Sequence, residues 1–211
     1  MAKTATLSES FGTGSYNGSF VGTGNLSTAG NRLEVQYIAG SANYSNITSL
    51  AFYDLTNSYI QIEVIDAGNQ ALVSFEAYPI FAYADVNNSV FWIITNGGLA
   101  AYKRVGAVNT LITTTAFVLA THKFLRIRED GGVVYFDYSP DSVTWTNLTT
   151  ELVSNLFDIT SVKIRIEAGA YAAEVSGTFL QVDNLNVTKK GISRTFFKNV
   201  RPAIFTPGRA R

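Results

Sequence analysis

Apolar residues in this chain recur every second position, and the helical period is almost absent. In SYIQIEVI, Ile60, Ile62 and Val64 fall on one face while Tyr59, Gln61 and Glu63 fall on the other, the period of a half-buried strand. SVKIRIE repeats it, with Val162, Ile164 and Ile166 inward and Lys163, Arg165 and Glu167 toward water. Further strands are predicted near 32–38, 70–78, 90–95, 98–105, 123–128, 132–138 and 176–187, each bounded by Gly, Asn or Asp turn signals. Only ELVSNLF suggests a short helical turn. Many short strands without intervening helices imply an all-β, two-sheet antiparallel sandwich of the jelly-roll kind. No repeat of 20–50 residues points instead to a propeller or solenoid.

The chain has 211 residues, 46% of them hydrophobic and 13% aromatic. That suits one large β domain and excludes a disordered or fibrous chain. There is no cysteine, so packing and backbone pairing must hold the fold and thiolate metal sites are excluded. MAKTATLSES lacks the apolar core of a secretory signal. No run approaches the roughly 18 apolar residues of a membrane span, so no membrane partner is expected.

Net charge is zero, but the average joins two opposed segments. Residues 189–211 hold seven basic residues and no acidic ones, whereas residues 1–188 hold the other nine Lys/Arg against all 16 Asp/Glu, a charge of −7. The expected organisation is therefore a sandwich over 1–188 with an extended C-terminal arm over 189–211. The arm carries Arg194, Phe196, Phe197, Lys198, Arg201, Ile204, Phe205, Arg209 and Arg211. Its apolar side chains are costly to leave in water, and Pro202 and Pro207 favour an extended chain. Docking on an adjacent acidic subunit, another copy included, follows as the expectation. Nucleic acid is a poor partner, because a body at −7 repels it at long range.

The hairpin FLRIREDGGVVYFDYSPDSVTWTNL turns at Asp130-Gly131-Gly132 and again at Ser139-Pro140-Asp141-Ser142, after which Trp145 is expected to re-enter the sandwich. The hairpin resembles the "LRI-R-dG-yyf-yS-DG-tW" pattern of the concanavalin A-like lectin and glucanase superfamily, with Ser142 where that pattern has Gly. The resemblance spans most of residues 7–188 and includes TFLQVDNLNV, similar to the strand that closes such domains. It implies a lectin-like jelly roll. SPDSVTW is also similar to the Asp box of sialidases, but it occurs once and reads as a β-turn with a packed Trp.

Glycoside hydrolases of that superfamily place two carboxylates on one strand face, and no E-x-D-x-x-E pattern is present. Glu63 and Asp137 stand alone on their strands, and Glu174 lies in a glycine-flanked segment. The one histidine, His122, reads as a surface residue at a strand edge. The chain is thus expected to be no enzyme and to need no cofactor. Tyr16, Tyr44 and Tyr83 are candidates for stacking on a host-surface glycan, while Trp92 reads as core. Asp183-Asn184 resembles a calcium position of lectin-like sandwiches, although a turn contact is the better reading and no metal is expected.

The ending FTPGRAR, Phe205 to Arg211, resembles the "F-x-PG-x-AR" termini of structural proteins of tailed bacteriophages. The resemblance implies a non-enzymatic virion component, anchored to tail or capsid subunits and oligomeric in the particle. The alternatives are a carbohydrate-binding module or receptor-binding lectin and, behind it, a glycoside hydrolase or polysaccharide lyase.

Overall fold

The computed structural model describes residues 1–12, 16–28 and 30–187. Fourteen strands follow in chain order: β1 (Phe20–Thr23), β2 (Asn25–Ser27), β3 (Leu33–Tyr37), β4 (Asn43–Ser49), β5 (Ser58–Asp66), β6 (Phe75–Asp85), β7 (Asn88–Thr95), β8 (Gly98–Val105), β9 (Val108–Ala116), β10 (Phe124–Asp130), β11 (Val133–Ser139), β12 (Thr146–Leu152), β13 (Lys163–Ala170) and β14 (Thr178–Asp183). They form two seven-stranded sheets, β1-β4-β13-β6-β7-β8-β9 and β12-β11-β10-β5-β14-β3-β2. The expected all-β jelly-roll sandwich is what the chain builds. The helical turn expected at ELVSNLF is a single 3-10 turn, Val153–Asn155.

The alternation places the core. Ile60, Ile62 and Val64 of β5 meet Ile164, Ile166 and Ala168 of β13 in one buried cluster between the sheets. Trp92 sits in it as expected, fully buried, edge-on to Phe136 with ring centroids 5.3 Å apart. Its indole N–H donates to the Arg126 carbonyl of the opposite sheet at 3.2 Å, which satisfies the one polar atom that burying the ring would strand.

Turn chemistry fixes the register. Gly131 and Gly132 adopt φ of 61° and 84° between β10 and β11, the left-handed pair that a two-residue hairpin needs. Ser142 adopts φ of 63°, so it occupies the glycine conformation of the lectin-like pattern. Its loop is held by Asp141, whose Oδ1 accepts the N–H groups of Val143 and Thr144. Trp145 does not re-enter the sandwich. It stays half-buried on the outer face of the second sheet under Arg126, whose guanidinium lies 3.9 Å from the ring, because the turn leaves its indole N–H to donate to the Ser142 carbonyl.

The strand expected to end at residue 78 runs on to Asp85. Pro79 cannot donate to a ladder and would ordinarily stop a central strand. Here it lies at an irregularity: the pairing of β6 with β7 shifts between Ala77 and Ile80, and that of β13 with β6 shifts between Arg165 and Glu167. The extra residue leaves Tyr78 and Phe81 on the same outer face, although they are three apart.

Candidate functional site on the outer face of the first sheet

Cross-strand rows build the site. Tyr44 on β4 stands opposite Gly169 on β13, which stands opposite Glu76 on β6; the next row is Asn46, Glu167 and Tyr78. A Cβ at position 169 would overlap the Tyr44 ring and the Asn43 carbonyl. The bare glycine therefore lets the Tyr44 ring cross β13 and reach the third strand. Its hydroxyl donates to Glu76 Oε2 at 2.6 Å, and the Tyr78 hydroxyl donates to the same oxygen at 2.6 Å. Burial, and then the neighbouring Glu76, pushes both phenols far above their ordinary range, so both keep their protons and remain donors.

Glu76 and Glu167 lie on adjacent strands two positions out of register, a diagonal that sets Cβ atoms roughly 7–8 Å apart or a little less. Their surroundings differ. Glu167 accepts from Arg165 Nη1 at 3.2 Å, yet burial outweighs the arginine and its pKa lies above the usual carboxylate range. Beside the carboxylates runs an aromatic floor. Phe81 stacks on Phe91 with centroids 4.8 Å apart, Phe91 stacks on Tyr102 at 5.5 Å, and Tyr78 approaches Phe91 at 5.6 Å. Tyr102 apart, these groups, with Arg104 and Asn109 at one side, line a cavity of about 360 Å³.

Of the tyrosines singled out in the sequence, Tyr44 lies in this cavity and Tyr83 beside it, its ring 4.7 Å from the Arg165 guanidinium. Tyr16 is elsewhere, packed against the main core. The sequence reading missed Glu76 and assigned Glu167 to water, whereas the Glu167 side chain is only 14% exposed. The carboxylates it weighed are engaged in other ways. Asp137 Oδ2 accepts from Arg126 at 2.8 Å and from Arg128 at 2.8 Å. Glu174 accepts the Ser74 N–H at 2.6 Å. Glu63, read as standing alone on its strand, is 2% exposed and paired with Lys123 at 3.1 Å.

His122 is not a surface residue. It is 5% exposed, edge-on to Tyr138 at 4.6 Å and stacked on Phe117 at 5.9 Å, and its Nδ1 accepts the Val118 N–H. Desolvation pushes its pKa down, which suits a neutral ring bracing a loop. Asp183 ends β14, opposite Glu63. Among the described residues no group of three or more His, Cys, Asp or Glu side chains could hold a metal ion. The arm residues Arg194, Phe196, Phe197, Lys198, Arg201, Ile204, Phe205, Arg209 and Arg211 lie outside the described residues.

No family model matches the chain, and no curated protein matches it either. Solved structures do. The laminarinase catalytic domain of Thermotoga petrophila, an endo-1,3-β-glucanase, is similar with a TM-score of 0.65 at 7% identity, over 85% of this chain and 94% of that one. What is shared is the fold. A Crh5 transglycosylase in complex with NAG gives a TM-score of 0.67 at 10% identity over 88% and 89% of the two chains. An endo-acting O-glycanase from human gut microbiota gives 0.64 at 8% identity over 85% and 98%. The expectation of a non-enzymatic chain is corrected by these neighbours: the three solved structures, matched over 89–98% of their length, are of glycan-acting enzymes, so the fold is one that carries such chemistry.

Proposed function

We propose that the chain is a glycan-cleaving enzyme whose site is the outer face of the first sheet. The observation that carries this reading is the pair Glu76 and Glu167, two carboxyl groups on one face in unlike surroundings. Cleaving a glycosidic bond needs one carboxyl to deliver a proton to the leaving oxygen and a second to act from the other side as base or nucleophile. Glu167, protonated to higher pH than an ordinary carboxyl, is the acid. Glu76 is the second group: the Tyr44 and Tyr78 hydroxyls fix its Oε2 and so set the direction of Oε1. The edges of the stacked Phe81, Phe91 and Tyr102 rings offer an apolar floor to the C–H groups of sugar units. That the neighbours act on β-1,3-glucan or bind NAG supports the substrate class, a neutral polysaccharide.

Reducing ends released from laminarin and from chitin oligosaccharides test the proposal. Glu167→Gln should lower the rate by about 100-fold or more, the usual contribution of a general acid, while far-ultraviolet circular dichroism stays unchanged. No release by the unaltered chain, or release undiminished in the variant, would sink it. Binding without release would instead make the cleft a lectin site, a reading that the aromatic floor favours.

A further inference from the structure

A second cavity, larger than the first, lies on the other sheet. About 710 Å³ in volume, it opens on the outer face of β5, with Glu63, Ile65, Lys123, Asp183, Arg32 and Leu119 around it. At its floor Glu63 Oε1 pairs with Lys123 at 3.1 Å, and Oε2 accepts from Asn184 Nδ2 at 2.6 Å. One wall is the loop that His122 braces. At the rim Arg32 is exposed and makes no ion pair among the described residues.

We infer that this cavity is a second, non-catalytic binding site for a neutral saccharide unit. Its formal charges cancel, two cations against two carboxylates. An anionic ligand would meet Glu63 and Asp183, and a cation would meet Arg32 and Lys123, so neither gains from the whole site. A pyranose does. Its hydroxyl groups donate to the carboxylates and accept from the guanidinium and ammonium, and its C–H face lies on Ile65 and Leu119, the mixture of apolar wall and few convergent polar groups usual in ligand pockets. Calcium at Asp183 is disfavoured, because the Lys123 ammonium already holds the neighbouring Glu63 oxygen.

The inference does not depend on catalysis in the other face. It is tested by saturation-transfer NMR on the full chain with glucose as probe, glucuronate and calcium chloride as controls, and Arg32→Ala and Asp183→Asn as variants. Both substitutions are at partly or fully exposed positions and leave Glu76 and Glu167 untouched. Glucose affinity should fall about tenfold in each variant, as when a hydrogen bond to a charged group is lost, and should persist in Glu167→Gln. The inference is overturned by absent glucose binding, by loss in Glu167→Gln alone, by preference for glucuronate, or by glucose displaced on adding calcium. Loss of cleavage with glucose binding intact would strike only the proposed function.

Discussion

The outer faces of the two sheets both bury carboxylates, and they treat them differently. On the second sheet Asp137 receives two arginines and the Asn147 amide, and Arg126 and Arg128 are in turn stacked on Trp145 and Tyr135 at 3.9 and 3.6 Å. Both carboxylate oxygens are spoken for. On the first sheet Glu167 has one arginine, and Glu76 has two neutral phenols and no ion pair among the described residues. The difference teaches that burial alone does not make a reactive acid. Burial and cation supply act together: two guanidinium groups make the Asp137 carboxylate a structural rivet, whereas burial outweighs the single arginine at Glu167, which keeps its proton to higher pH than an ordinary carboxyl.

Removing the rivet is the strongest way to break this contrast. Asp137→Ala leaves two arginines facing each other without a counter-charge and should destabilise the fold by about 3 kcal/mol, the range for removing one partner of a buried ion pair, read as a lower urea midpoint. Equal loss from Glu76→Ala would show that the two faces are built alike. Next in size is Gly169→Ala. The added methyl must displace Tyr44, at a cost of about 1–3 kcal/mol for overpacking, and cleavage should fall with it because Glu76 loses a fixed donor. Unchanged stability and rate would mean that Tyr44 does not cross β13 as described. Smaller again, Tyr44→Phe removes one hydrogen bond and no packing, so about 1 kcal/mol is expected.

The nine strands legible in the sequence are all interior to their sheets, and four of the five missed are edge strands, with β4 the exception. β1 and β9 edge the first sheet, β12 and β2 edge the second, and β4 lies next to an edge. An edge strand such as β9 (VNTLITTTA) is largely exposed, so nothing forces apolar residues onto alternate positions and the period of two fades. The candidate site was harder to read for another reason. A search along one strand finds only pairs that one strand carries, whereas Glu76 and Glu167 meet through the pairing of β6 with β13. The available signals were local and weak: a glycine inside the strand pattern at Gly169, which marks a close approach of another group, and a Glu-x-Tyr at Glu76 and Tyr78 ahead of a proline. Trp145 misled because a large aromatic after a turn usually packs inward, and here a guanidinium offered it an outer partner.

The smallest expected effect sharpens the comparison most, since it asks about the proton directly. Glu167 titrates in the folded chain above the ordinary 4.5 of a glutamate. Between that value and the raised one, the folded state binds a proton that the unfolded state has released. Stability should therefore be complete below about pH 4.5 and decline as pH rises through the folded value. His122 acts in the opposite sense. Its folded pKa lies below 6.5, so its contribution is lost as pH falls from 6.5 through the folded value, and a single urea curve mixes the two. Subtracting the Glu167→Gln profile from that of the unaltered chain isolates the carboxyl, because Gln cannot titrate while His122 stays in both. A difference that is flat across pH 4.5 to 7.5 would mean that Arg165 alone satisfies Glu167. The first face would then be a second rivet and not a source of protons.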